Sequence, residues 1–139
     1  MYRLVYVSSA VEPFSDGQLE DLLKKSRQNN AAVGLTGMLL YKDGNFMQCL
    51  EGPKEAVITL EAKIRLDSRH RGMFVLLREE DVQPGFDEWS MGFKRLDSNT
   101  ALEFPGYSDF LNLSLTSEEF QMHPSRSLKL LLSFKRSMR

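Results

Sequence analysis

Two strand-like runs flank a turn signal in the first half of the chain, and they constrain the fold more than any other feature. Residues 36–41 and 46–51 are separated by Lys42-Asp43-Gly44-Asn45. Asp-Gly between such runs signals a two-residue β-hairpin, because both central positions need positive φ. The first run holds Met38, Leu39 and Leu40 in succession, so it belongs in the centre of a sheet, buried on both faces. The second alternates. Phe46, Gln48 and Leu50 share one face, and Met47, Cys49 and Glu51 the other.

The flanking segments supply the other elements. Residues 3–8 read as a strand, with Leu4, Tyr6 and Ser8 on one face and Arg3, Val5 and Val7 on the other. Ser15 with Gln18 forms a capping box. The helix it opens runs to about Gln28, with Leu19, Leu22, Leu23 and Ser26 as its stripe, and Asn29-Asn30 ends it. After the hairpin, Gly52-Pro53 starts a second helix with Ala56, Val57, Leu60 and Ile64 on its apolar side, ending near Leu66. Residues 74–82 and 89–96 read as a fourth and a fifth strand, the last with Trp89, Met91 and Phe93 on one face.

The order βαββαββ predicts an α+β ferredoxin-like sandwich: a five-stranded mixed sheet with two helices on one face. Right-handed crossovers put both helices on that face, with a groove between them. Phe46, Leu50, Ile58 and Ile64 are expected in its core, and Cys49 on the far side of the sheet as a small hydrophobe.

Residues 97–139 differ in character. Asp97-Ser98-Asn99 is linker-like, 107–113 is a short helix, 114–119 is polar, and His123-Pro124-Ser125 opens a last helix carrying Leu128, Leu131, Leu132 and Met138. That leucine stripe is expected to pack on the outer face of the sheet or on a second copy. The division is therefore a domain over 1–96 and a C-terminal helical extension over 97–139.

A length of 139 residues accommodates one domain plus such an extension. The net charge of −1 gives no pull toward nucleic acid or an acidic membrane. The single cysteine forms no internal disulfide, no apolar run reaches the length of a membrane span, and no signal peptide is visible, so a cytoplasmic location is expected. His70 and His123 lack metal-ligand spacing, and neither a phosphate-binding glycine motif nor a hydrolase Gly-x-Ser-x-Gly is present.

Tyr6 and Gln48 are polar side chains that alternate with apolar neighbours on the helix side of two strands. By themselves they read as a structural hydrogen bond, since buried polar groups are generally paired. The segments RLVYVS, NNAAVGLTGMLLY, DGNFMQCLEGP, DSRHR and WSMGF add to this, falling in order over residues 2–96. Together they resemble the BLUF family, blue-light sensors that use FAD.

The resemblance implies roles for particular residues. Tyr6 matches the electron donor to the excited flavin, and Gln48 the amide between that tyrosine and the ring. Asn30 matches the residue that pairs with the C4 carbonyl and N3–H edge. Trp89 and Met91 match a pair that exchanges places near the glutamine. Asn29, Arg69 and His70 match positions by the other polar edge and the ribityl chain, and Lys63 is placed within reach of the phosphate. FAD is the implied cofactor, with FMN or riboflavin as substitutes. Leu35 stands where the family often has isoleucine, which predicts a small change in ring packing.

The residue types suit this chemistry. An asparagine offers a donor and an acceptor to a polar ring edge, and a glutamine has two chemically different ends that rotation or tautomerisation would exchange. The resemblance implies a photoreceptor and not an enzyme. Flavin excitation draws an electron and proton from Tyr6, rewires Gln48, red-shifts the flavin and alters protein contacts through the fifth strand and the C-terminal helices. A short stand-alone sensor with a separate downstream signalling protein, and homo-oligomerisation, are expected. The rival readings are weaker. An RNA-binding sandwich needs aromatics on the open sheet face and a basic surface, where this chain offers Met47, Cys49 and Glu51. An acylphosphatase-like enzyme needs a phosphate loop where Ser9-Ala10-Val11-Glu12 stands. A flavin-free interaction domain of the same fold is the third.

Overall fold

A computed structural model describes residues 1–86, 91–96 and 114–137. Its elements are β1 (Tyr2–Ala10), α1 (Asp16–Val33), β2 (Thr36–Lys42), β3 (Asn45–Gly52), α2 (Lys54–Arg65), β4 (His70–Glu79), β5 (Gly92–Leu96), α3 (Glu118–Met122) and α4 (Ser125–Ser137). The sheet order is β4-β1-β3-β2-β5. β1 runs antiparallel to both β3 and β4, β2 pairs antiparallel with β3, and β5 lies parallel to β2. This is the expected mixed five-stranded sandwich.

The hairpin forms as its turn chemistry requires. Asp43 (φ 50°) and Gly44 (φ 79°) both take positive φ, the combination that matches the twist of the flanking strands. Tyr6 then stands opposite Gln48 across the β1–β3 ladder, which makes their side chains neighbours on one face.

Two apolar layers sandwich the sheet. On one face Leu4, Leu39, Tyr41, Phe46 and Leu50 pack with Leu19 and Leu23 of α1 and Val57 of α2. On the other, Val5, Val7, Met38, Leu40, Met47 and Cys49 pack with Leu115, Phe120, Leu130, Leu131 and Phe134. The leucine stripe of the last helix therefore covers the outer face of its own sheet. Leu130 and Phe134 are fully buried there, each contributing on the order of 2 kcal/mol. Cys49 lies in this outer layer, as its alternation indicated.

Several boundaries differ from the sequence reading. α1 does not stop at Asn29-Asn30 but continues to Val33, where Gly34 (φ 73°) caps it by donating its N–H to the Asn30 carbonyl. Ala31 and Ala32 are good helix formers, and glycine takes the left-handed position at less cost than asparagine. β4 begins at His70 instead of 74 and ends at Glu79 instead of 82. Pairing of Ala10 with His70 and Ser9 with Arg71 draws the polar segment into the ladder, and an edge strand tolerates such residues. β5 starts at Gly92, with Met91 just before it. Pro53 is the N-cap of α2, one position outside its first turn. Ile58 is exposed, not core, because Val57 takes the inward position of that turn. Within the polar segment 114–119, the short helix α3 begins. Trp89 and the helix expected over 107–113 lie outside the described residues.

Candidate functional site

The two helices flank a cleft of about 290 Å³ above the sheet. Its floor is Tyr6 and Ser8 of β1, Leu39 of β2, and Phe46 and Gln48 of β3. One wall is α1, through Leu22, Lys25, Ser26, Asn29 and Asn30, and the other is α2, through Leu60, Lys63 and Ile64. Phe14, Asp67, Arg69 and His70 complete the lining. The sequence candidates Tyr6, Asn29, Asn30, Gln48, Lys63, Arg69 and His70 thus converge on one cavity. Phe46 and Ile64, expected as plain core, also line it.

Two polar contacts run in a chain from the floor. The Tyr6 hydroxyl donates a short hydrogen bond to Gln48 Oε1. Gln48 Nε2 in turn points at Met91 Sδ, 3.5 Å away. Tyr6, Gln48 and Met91 are all buried. Burial, helped by the negative charge of Asp67, raises the Tyr6 phenol well above its ordinary value, so it keeps its proton. Arg27 Nε donates to the Met91 carbonyl at 2.9 Å, tying the start of β5 to α1.

The mouth of the cleft is ionic. Arg69 pairs with Asp67 at 2.6 Å and lies over the Phe14 ring, 5.8 Å from its centroid. The Arg69 hydrogen bonds push the Asp67 carboxyl down to about 2. His70 Nε2 is hydrogen-bonded to the Ile64 carbonyl, which sets the ring against the end of α2.

Ser8, Lys25, Ser26 and Asp67 were not among the sequence candidates for this cavity. Ser8 had a signal: it shares the Tyr6 face by strand alternation. Ser26 lies three and four residues before Asn29 and Asn30, one turn along the same helix.

The residue set fits a flavin. Phe14, Leu22, Leu39, Phe46, Leu60 and Ile64 offer apolar contacts to a flat ring, while Asn29, Asn30 and Gln48 offer donors and acceptors to its edge. Ser8 supplies the sharpest observation. Its hydroxyl lines the cleft, is 1% exposed, and has no hydrogen-bond partner among the described residues. A buried hydroxyl left unpaired costs free energy that a bound polar group would relieve. No group of His, Cys, Asp and Glu suited to a metal ion occurs among the described residues, and none of their helices is long and apolar enough to cross a membrane.

Comparison with known proteins agrees with this geometry. The family model described as "BLUF: Sensors of blue-light using FAD" matches residues 1–92. The photoactivated adenylate cyclase subunit beta of Euglena longa is 45% identical over 67 residues, and that of Euglena gracilis 37% identical over 91. These matches take in 48% and 63% of this chain but span only 8% and 10% of those proteins. Among solved structures, a bacterial light-regulated adenylyl cyclase superposes with a TM-score of 0.77 at 31% identity, covering 95% of this chain and 39% of that one. The photo-activated state of BlsA gives 0.74 at 32% identity and 94% coverage of both chains. The dark state of BlrB, a BLUF protein, gives 0.68 at 28% identity, with 92% and 96% covered.

Proposed function

The chain belongs to the BLUF family of blue-light sensors that use FAD, and from that premise we propose that its photoswitch is the Tyr6–Gln48–Met91 chain in the cleft floor. When bound, the flavin supplies a blue-absorbing chromophore whose excited state is a one-electron oxidant.

The observation that carries the reading is the placement of the Gln48 amide. Its oxygen accepts from Tyr6, and its nitrogen faces a methionine sulfur, a weak acceptor. A strong bond thus anchors one end while a weak one holds the other. Tyr6 is the one tyrosine lining the cleft among the described residues, and its proton already lies on the bond to Gln48. Giving an electron to the excited flavin would make the Tyr6 phenol a strong acid, its proton would pass along that bond to Oε1, and return of the electron and the proton would restore Tyr6. The amide is then free to exchange which end faces Tyr6 and which faces Met91. Asn30 would hold the C4 carbonyl and N3–H edge of the ring, Asn29, Arg69 and His70 would serve its other polar edge and the ribityl chain, Ser8 would border the ring, and Lys63, with Lys25, would meet the phosphate. Trp89, the other member of the pair that the family resemblance points to, is proposed to respond together with Met91.

The protein acts as a sensor rather than as an enzyme. Its output is a population shift that changes contacts with an effector protein, or with a second copy, through β5 and the C-terminal helices. Several relatives are light-regulated adenylate cyclases, so an effector of that class is the first to examine. A cytoplasmic setting accords with this role.

The test is optical. Purified protein loaded with FAD is expected to be yellow, to shift slightly to the red under blue light and to recover in darkness. Tyr6→Phe is expected to keep the flavin and lose the shift. A full shift in Tyr6→Phe would overturn the assignment of the switch. Extraction and chromatography of the bound flavin decide between FAD, FMN and riboflavin.

A further inference from the structure

Opposite the cleft, on the far face of the sheet, a second polar assembly is built around a fully buried carboxylate. Glu51 of β3 is 0% exposed. Arg3 Nε of β1 donates to its Oε2 at 2.8 Å. The same carboxylate accepts the backbone N–H of Gly85 at 2.9 and 3.0 Å, and that of Phe86 at 2.8 Å. Arg3 also donates to the Gln83 carbonyl at 2.9 Å and to Glu79 at 3.2 Å. A buried ion pair is weak evidence for stability, because desolvation offsets most of its attraction. Its value here lies in what it holds. Among the described residues, all of the loop contacts go to one segment, residues 83–86.

That segment is the connection from β4 to β5. The connection joins strands at opposite edges of the sheet, separated by four inter-strand steps of about 4.8 Å each. Glu51 lies on the central strand and grips it midway. Gly85 is so close beneath α4 that a methyl group there would lie 3.2 Å from Leu132 Cδ2 and 3.5 Å from Glu51 Oε2. Five residues beyond Phe86 comes Met91, whose sulfur faces Gln48. Gln48 and Glu51 are three apart on β3, so they face opposite sides of the sheet.

We propose that Glu51, held by Arg3, is a positioning residue for the photoswitch: its carboxylate pins the β4–β5 connection across the back of the sheet, and so sets both the Met91 sulfur that Gln48 faces and the loop glycine under α4. One strand then carries the switch on its front and the anchor of the responding segment on its back. This inference rests on the proposed role of Gln48. It adds a residue that touches neither the cleft nor its contents.

The experiment uses the full chain loaded with FAD. Glu51→Gln keeps the shape and removes the charge. Loosening Met91 lets the two amide arrangements interconvert more readily, so dark recovery is expected to accelerate by at least about threefold, while flavin affinity stays within about twofold. A purely structural carboxylate would lower the melting temperature without moving the recovery rate. Recovery accelerated by less than about threefold, or slowed, in a folded and flavin-loaded variant overturns the proposal. Where Glu51→Gln fails to fold, Gly85→Ala displaces the same connection from the loop side, and the same acceleration is required of it. A parent protein that binds flavin yet shows no light-induced shift sinks the switch assignment itself, which separates the two failures.

Discussion

Gln48 occupies the position where burial and hydrogen bonding conflict most. An amide in an apolar sheet face needs partners, and the two it has among these residues are unequal: a phenol and a thioether. Replacing it by leucine leaves the Tyr6 hydroxyl buried without its acceptor, at a cost of about 1–3 kcal/mol. Gln48→Leu should therefore melt lower in the flavin-free protein, as scanning calorimetry would show. Ser8 predicts the opposite pattern. Its hydroxyl has no partner among the described residues, so Ser8→Ala should leave flavin-free stability unchanged or slightly raised. Flavin affinity should fall by about 1 kcal/mol, roughly fivefold. Equal flavin affinity in Ser8→Ala would remove serine from the site. The raised Tyr6 phenol sets the alkaline limit: the folded protein keeps a proton that the unfolded chain gives up above its ordinary value of 10.0. That contribution is complete below pH 10.0 and is lost as pH rises beyond it. Tyr6→Phe should flatten this alkaline fall in denaturation midpoints. Tyr6 and Gln48 were legible because period-two alternation puts a polar residue on an apolar face. That Ser8 lacks a partner was not legible, since it depends on what surrounds the hydroxyl in three dimensions.

Among the elements, the hairpin turn and the start of α1 were legible from local chemistry, whereas the end of α1, expected at Asn29-Asn30, and the start of β4 were not. The Asp43-Gly44 turn and the Ser15–Gln18 capping box both form as written, the box with both of its hydrogen bonds. Ser15→Ala should cost about 1 kcal/mol in thermal unfolding. The start of β4 was missed because Arg69-His70-Arg71 has no strand character of its own; antiparallel pairing with β1 confers it. The Arg3–Glu51 pair was missed for a similar reason. Both residues alternate onto the outer face, but nothing local shows that this face is covered. Glu61 is another hidden carboxylate. Arg78 first, then Arg65, holds it below its ordinary value of 4.5. Its contribution to stability is present above that value and is lost as pH falls below it. Glu61→Gln should therefore make the acid limb of the stability profile shallower, as chemical denaturation at a series of pH values would show.

At the scale of the whole molecule, the sheet separates a ligand-facing layer from a layer of C-terminal helices, and β3 belongs to both through alternate residues. The division of the chain into layers was readable from hydrophobic periodicity. The choice of the last helix to cover its own sheet rather than a second copy was not, because an apolar stripe specifies burial and not a partner. Light acting through β3 and β5 should loosen α4, seen as faster amide hydrogen exchange over residues 125–137 in continuous blue light than in darkness. The central claim is that the Gln48 amide exchanges its bonding ends. Light-minus-dark infrared spectroscopy on protein carrying 13C-labelled glutamine side chains tests it most directly. The account predicts a label-sensitive carbonyl band that shifts with light and is absent from Gln48→Leu. A protein whose visible bands move to the red while no label-sensitive band changes would contradict it.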